Sequence, residues 1–399
     1  MNTPDPGLIA TLRALPRPAW ILFFGTFLNK FGTFVIPFLT LYLTRQGYTP
    51  AQAGIAVGAY GVGLLLASVL GGFLADSIGR RRTIVLSMFS GAFSMILLSQ
   101  VHKLPAIIAL TALTGLTCEL YRPASSALLA DLVPPGQRVT AFSAYRLAFN
   151  AGWAFGPATA GFLASRGYLW LFVGDAATSV LFGIVALFAL PRAVRSQAQE
   201  KSWREALRVL VDDRSLRQVL TAVFIIGLIF FQLSSTFGLH VTRLGFSPAT
   251  YGAILSLNGV LVVALELPLT LLTRRFPPRR VLAIGYLLIG IGFALNAFAG
   301  TVAALAGCMA IFTLGEMVSM PISSAYIADL SPPDMRGRYM GAHALTWALG
   351  LVVAPALGMK LFTVAPSLLW LGSCALGILA ALVILPKLRN TPAPPLVNG

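Results

Sequence analysis

Seven ionisable side chains, Lys30, Glu119, Arg122, Arg146, Asp175, Glu266 and Glu316, interrupt long apolar stretches of this 399-residue chain. A charge at the centre of a bilayer costs about 2.5–3.5 kcal/mol on insertion scales, so each needs a partner or a task. A lone carboxylate there suits proton uptake and release, and one beside a cation can trade that cation for a substrate. Glu119 and Arg122 are i and i+3, on one helix face. Either Glu119 exchanges a proton under the control of Arg122 and substrate, or the two form a permanent structural pair. Glu316 has no basic neighbour within one turn and is the preferred proton carrier. Asp175 and Glu266 complete the proton-coupling set, each with a second reading: Asp175 as the cap or brace of a helix, Glu266 as partner to an arginine at a pore mouth. Lys30, Arg122 and Arg146 would make the amino-terminal half of a cavity positive, favouring an anionic or zwitterionic solute. Asn29, Tyr60, Tyr121, Tyr145, Asn150, Phe231, Gln232, Asn258 and Trp347 are the polar and aromatic residues expected to face the same pathway.

Enzyme signatures are missing from the sequence: there is no His-Glu-x-x-His, no Gly-x-Ser-x-Gly and no Walker lysine. His102, His240 and His343 are far apart in sequence, and His343 reads as a hydrogen-bonded packing residue. Cys118, Cys308 and Cys374 each sit in an apolar run, so no disulfide framework is legible. No metal, cofactor or enzymatic activity is expected, and the energy source implied is a proton gradient.

The elements that must hold these side chains follow from composition. The chain is 57% hydrophobic and only 11% charged, with a mean hydropathy of +0.82, whereas a soluble domain carries about 25% charged residues. Soluble two-domain, disordered and nucleic-acid-binding classes are excluded. At about 20 apolar residues per crossing, twelve helical spans fit between residues 18 and 386. The net charge of +16 would suggest nucleic acid if it formed a patch. Instead, 21 of the 29 Lys and Arg residues fall on one face of the predicted topology, with Arg45, Lys103, Arg166, Arg243 and Lys360 on the other and three within the spans. By the positive-inside rule both termini are cytoplasmic, which predicts a multi-pass protein of the cytoplasmic (inner) membrane. Its partners are then the lipid bilayer, protons and a small-molecule substrate, with no nucleic acid, and the chain is expected to be a monomer.

An internal repeat organises the spans. Residues 123–138 and 321–336 share ten of sixteen identities at an offset of 198, including Pro123/Pro321, Ser125/Ser323, Asp131/Asp329 and Arg138/Arg336. The same offset relates Arg45 to Arg243, Gly47 to Gly245, Gly54 to Gly252, Gly61 to Gly259, Gly152 to Gly350 and Pro157 to Pro355. Six helices per copy start both copies on the same side of the bilayer, so the halves are parallel repeats related by an axis along the membrane normal, with a cavity between them. The expected layout is an N-terminal segment 1–17, a six-helix bundle 18–191, a linker 192–216 carrying an amphipathic surface helix, a second bundle 217–388, and a tail 389–399.

Two motifs carry a family likeness. Gly72-Phe-Leu-Ala-Asp76-Ser-Ile-Gly79-Arg80-Arg81-Arg82 resembles motif A of the major facilitator superfamily, with Ser77 where a basic residue is usual. The resemblance implies a cytoplasmic gate of Gly72, Asp76, Gly79, Arg80, Arg81, Arg82, Asp131 and Arg138. In it Asp76 finds Arg81, Arg82 or the helix end near Gly337, and locks the two halves outward-open. Arg274 and Pro277 replace the matching Asp76 and Gly79 in the second half, where the latch has decayed. Gly152-x-x-x-Gly156-Pro157-x-x-Ala160-Gly161 resembles motif C, associated in that superfamily with antiporters; it implies a seal at the periplasmic end, with close helix packing as the plainer reading. The likeness spans residues 18 to 388 and is greatest to the twelve-helix drug/proton antiporter branch. It implies an all-α membrane protein of two parallel-repeat six-helix bundles, the major facilitator fold. The function implied is proton-coupled export of small amphipathic molecules by alternating access. The alternative is proton-coupled uptake of a small anionic or zwitterionic solute such as a peptide, since Lys30-Phe31-Gly32 resembles the first helix of peptide transporters; the acidic residues preceding the basic one there are lacking here.

Overall fold

The computed structural model describes residues 12–134, 137–191, 212–273, 275–331 and 336–386. Fifteen α-helices among them build twelve crossings, six in each half of the chain. In the first half α1 (Arg17–Phe31) and α2 (Val35–Arg45) share one broken span, followed by α3 (Pro50–Ser77) and α4 (Arg80–Gln100). The fourth span is α5 (Leu104–Glu119) with α6 (Tyr121–Leu132), and α7 (Arg138–Arg166) and α8 (Leu169–Ala189) complete the half. The second half repeats the plan. Its broken first span is α9 (Arg214–Phe230), a 3₁₀ turn over Phe231–Ser234, and α10 (Thr236–Arg243). Then come α11 (Pro248–Thr273), α12 (Pro278–Ala294), α13 (Val302–Leu330), α14 (Arg336–Val364) and α15 (Pro366–Ile384). Eleven crossings meet both length and hydropathy for a membrane span. The exception, α7, is 29 residues long but carries Arg138, Arg146 and Arg166, which lower its mean hydropathy. Most of the amphipathic surface helix expected in the linker falls at 192–211, outside the described residues.

Local chemistry sets the boundaries. Thr49 and Gln52 form a reciprocal capping box ahead of Pro50 at the start of α3, and Asp213 and Thr301 cap α9 and α13 by accepting from Leu216 N and Ala304 N. The turns between spans one and two, and between seven and eight, both pass through a glycine of positive φ, Gly47 at 92° and Gly245 at 87°.

The halves meet along two seams that obey the repeat. A Cβ built on Gly54 of α3 would lie 2.6 Å from the Pro355 carbonyl of α14, and one on Gly252 of α11 would lie 2.2 Å from the Pro157 carbonyl of α7. Gly61 likewise abuts Val352, and Gly259 abuts Ala154. Adding 198 to either member of a first-seam pair gives, or is given by, a member of the second: 54 to 252, 157 to 355, 61 to 259, 154 to 352. The pseudo-twofold is thereby visible in the contacts themselves.

These contacts lie toward the end bearing Arg45 and Arg243. There Thr40 donates to the Ser235 carbonyl at 3.1 Å, Tyr251 donates to the Pro37 carbonyl at 2.9 Å, and Ala158 N donates to Ser256 Oγ at 2.8 Å, all between halves. The larger apolar core joins both halves at this end, with Phe38 and Leu43 beside Phe237 and Tyr251, while a second core of Leu22, Met88, Tyr121 and Phe182 belongs to the first half alone. Eleven residues from Gly61 on α3 is Gly72, and eleven before Val352 on α14 is Gly341, positions on the same helix faces. A Cβ at either meets nothing within 4 Å. The seam is shut at the Arg45 end and gapes toward the end carrying Arg80.

Candidate functional site

Glu119, buried, and Glu316, partly buried, lie at the middle of the fourth and tenth spans. Glu119 is 7% exposed. Its Oε1 accepts from Lys30 Nζ at 3.0 Å and from Tyr60 OH at 3.1 Å, and its Oε2 from Arg122 Nη1 at 3.4 Å. The ammonium of Lys30, 4% exposed, also lies 5.3 Å from the Phe149 ring centroid and 5.6 Å from that of Tyr121. Arg122 is about half exposed at 47%, so Lys30 rather than the local i,i+3 arginine is the dry, close partner.

Glu316 is held differently. Its Oε2 accepts from Asn258 Nδ2 at 2.6 Å, which also donates to Thr313 Oγ1 at 3.0 Å. Among the described residues no cation forms an ion pair with it. Tyr60 and Asn258 are related by the repeat offset of 198, so both halves send a donor from the second span of the bundle to an acid on the fourth. The acids themselves are one residue out of register, since Met317 and not Glu316 corresponds to Glu119.

Between α1, α3, α5 and α8 lies a small cavity, about 10 Å³ and thus room for one water-sized molecule, lined by Asn29, Lys30, Thr33, Ile36, Tyr60, Met95, Cys118, Glu119 and Asp175. Asp175, 5% exposed, uses Oδ2 to accept from the backbone N–H groups of Phe34 at 3.2 Å and Val35 at 3.4 Å. It caps the start of α2, the structural reading of the two open for it. Glu266 of α11 forms an ion pair with Arg146 of α7, across the halves and nearer the Arg80 end than the glycine contacts.

The remaining expected residues divide. Phe231 and Trp347 come together with ring centroids 5.8 Å apart in a cluster with Phe230, and Trp347 Nε1 donates to His343 Nε2 at 3.1 Å. Tyr145 and Asn150 are partly exposed, and Asn29 makes only a weak contact to the Met88 sulfur at 3.8 Å. Tyr121 is fully buried against Phe182 in the core of the first half, with its ring 5.6 Å from the Lys30 ammonium. Gln232 is buried too: its amide donates to the Leu228 and Ala354 carbonyls and accepts from Ser235 and Thr236, bracing the break in the seventh span against α14. Of the three cations expected to make the amino-terminal half of the cavity positive, Lys30 and Arg122 share the single carboxylate of Glu119, and Arg146 pairs with Glu266.

At the open end, Asp76 is exposed and in no ion pair among the described residues, with Gly72 beside free space. Gly79, at φ 96°, makes the turn into α4. Arg80 is buried and pairs with Asp131 at the end of α6, Arg81 donates to the Leu187 carbonyl, and Arg82 is exposed. These bonds are internal to the first half, as befits a latch apart while this end gapes. The side chain of Arg138 and the helix end near Gly337 lie outside the described side chains. In the motif on α7, Gly152 and Gly156 accommodate α1 at Phe27 and Phe31, while Pro157 and Gly161 meet α11 at Gly252 and Pro248. The small residues thus pack within a half and seal between halves by turns.

Sequence reasoning missed the Lys30–Glu119 pair, 89 residues apart, together with Thr313, Thr33 and Met95. The Tyr60/Asn258 correspondence was open to detection through the repeat.

The model of the Major Facilitator Superfamily matches residues 22–247 and again 236–398. The chain is 26% identical over 365 residues to a Na(+), Li(+), K(+)/H(+) antiporter of Planococcus maritimus, covering 82% of this chain and 85% of that one. It is 26% identical over 399 residues to the multidrug resistance protein MdtH of Aeromonas hydrophila, covering 98% and 100%. Among solved structures, a point mutant of the nucleoside transporter NupG superposes with a TM-score of 0.80 at 16% identity, over 92% of this chain and 99% of that one. At that identity the likeness speaks for the fold alone.

Proposed function

Since the chain belongs to the major facilitator superfamily, and is a transporter rather than an enzyme, we propose that it exports small amphipathic molecules in exchange for protons. The bundles 18–191 and 217–388 rock about the two glycine seams, linked by 192–216, with both termini and the Arg80 end in the cytoplasm of a bacterial inner membrane. The 21-to-5 division of basic residues supports that orientation, and the gaping seam then faces the cytoplasm, ready to load substrate.

The observation that carries the reading is Glu316, an acid in the middle of a membrane helix whose described partners are neutral donors only. Neutral donors tolerate both protonation states, whereas a cation such as Lys30 holds Glu119 charged. Glu316 is the proton carrier and Glu119 a fixed charge. Differential binding of proton and substrate by the two access states is all that exchange requires. The names of the two relatives, an H(+) antiporter and a multidrug resistance protein, agree with this direction of transport.

The test is transport by proteoliposomes under an imposed proton gradient, with a substrate taken from a thermal-shift screen. Substrate is expected to move against the proton flow. Glu316→Gln should abolish the response to the gradient while leaving counterflow of substrate for substrate. Movement of substrate together with protons, or a variant driven as well as wild type, would sink the proposal.

A further inference from the structure

The first span is cut into two pieces, and the short outer piece α2 forms much of the seal between halves. Thr40 donates to Ser235 O, Pro37 O accepts from Tyr251, and Phe38 packs edge-on against the Tyr251 ring at 5.0 Å. A helix that starts afresh in the membrane has free N–H groups at its first turn and no water to satisfy them. Here the Asp175 carboxylate from α8 accepts from two N–H groups at the start of α2, that of Val35 and that of Phe34, which also donates to the Gly32 carbonyl at 2.7 Å, and sets a negative charge at the helix's positive end. The same carboxylate lines the one-water cavity with Lys30 and Glu119. The repeat-related residue in the second half is Ser373, whose hydroxyl donates to Leu369 O and caps nothing; there Gln232 braces the break. The device is confined to one half.

We propose that Asp175 is a positioning residue for transport, the joint through which the buried charge site of the first half holds α2 against the second half and keeps the Arg45 end shut. Charged, Asp175 fixes the start of α2. Neutralised by a proton entering the cavity, it is a weaker acceptor for both N–H groups and no longer complements the helix end, so α2 loosens and the Arg45 end opens. The titratable groups that face it are Lys30 from α1, Tyr60 from α3, and Cys118 and Glu119 from α5, with Met95 the cavity residue from α4. Protonation of Glu119 would free Lys30 to pair with Asp175 and would oppose opening, so the two acids act with opposite sign on α2. The joint is independent of Glu316, which lies in the other half.

The experiment follows α2 in the full chain, reconstituted in nanodiscs, by backbone hydrogen exchange over residues 33–45 corrected for intrinsic rates, between about pH 8 and about pH 5. In parallel, Thr40→Cys, with Cys118→Ser, Cys308→Ser and Cys374→Ser, is labelled by a membrane-impermeant maleimide. Wild type should lose protection about tenfold as pH falls, with labelling of the cysteine variant rising in step. Asp175→Asn should be poorly protected and readily labelled at both pH values, Asp175→Glu should recover part of the pH response, and Glu316→Gln should respond as wild type does. Wild-type protection independent of pH, or Asp175→Asn following the wild-type profile, would overturn the proposal. Should Asp175→Asn fail to fold, the wild-type profile and that of Asp175→Glu still decide it. Loss of gradient-driven transport in Glu316→Gln with this pH response intact separates the two proposals.

Discussion

Each half of the molecule places one glutamate in mid-membrane and gives it a donor from the equivalent helix position, Tyr60 to Glu119 and Asn258 to Glu316. The likeness ends with the cations. Lys30 lies 3.0 Å from Glu119, and the residue at the repeat-related position 228 is leucine. One duplicated scaffold has yielded a locked charge and a free one. The lesson is that the position of an acid in such a fold says little about its role until the opposite helix is read for a counter-charge.

The sharpest way to break the comparison is to remove the lock. Lys30→Met leaves Glu119 buried with the half-exposed Arg122 as its cation and Tyr60 as a neutral donor, and breaking a dry ion pair costs about 3–5 kcal/mol. The double variant Lys30→Met with Glu119→Gln removes both charges and should regain most of that loss. Thermal unfolding in one detergent checks both. A double variant as destabilised as the sum of the Lys30→Met and Glu119→Gln single variants would show that the pair is not coupled. By contrast, Glu316→Gln retains an acceptor for Asn258 and should shift stability by less than about 1 kcal/mol while removing proton dependence. A large loss of stability there would make Glu316 structural and erase the difference between halves.

The seams extend the comparison from charge to packing. Gly54→Val and Gly252→Val each place new atoms against a carbonyl of the other half, at starting separations of 2.6 and 2.2 Å. Both should destabilise the closed Arg45 end, by about 1–3 kcal/mol, and increase labelling of Thr40→Cys from that side. Because the contacts are repeat-related, the two effects should match within a factor of about three on the labelling rate, or about 0.7 kcal/mol. A seam that responds alone would mean that the halves pivot unequally.

Much of this could be read before any coordinates. Apolar runs fixed by length and basic clusters located the spans, and the 198-residue offset marked the glycines and prolines that turn out to line both seams, because a duplicated bundle meets its copy through equivalent faces. The site was legible in its members but hardly in its pairings. Lys30 and Glu119 are 89 residues apart and carry no local signal, whereas Glu119 and Arg122 share a helix face and so drew attention first. Helix breaks were hidden as well: the polar stretch Gln232, Ser234, Ser235 and Thr236 reads as a lining of the pore until the bonds of Gln232 to Ala354 O and Leu228 O appear. Asp175 could be read as a brace, but which helix it braces depends on how α8 packs against the first span.

The smallest expected effect concerns an ion pair that one seam has and the other lacks. Arg146 and Glu266 form an ion pair across α7 and α11, while the repeat-related positions on the other seam are Ala344 and Ser68. Arg146 is 46% exposed, so solvent screens the pair and its contribution to stability is about 0–1 kcal/mol. Arg146→Ala should therefore leave thermal unfolding nearly unchanged. Its consequence belongs instead to the opening at the Arg80 end, where the pair ties α7 to α11 just beyond the glycine contacts. Loss of the tie should widen that opening by the second seam and raise the labelling of a cysteine at Val263 about two- to fivefold, in a Val263→Cys variant lacking the native thiols. A cysteine placed by Ser68→Cys on the other seam should be unaffected by the same arginine change. Equal increases at both sites would mean that the pair governs the spread of the halves as a whole, and the asymmetry between seams would then reside in chemistry alone.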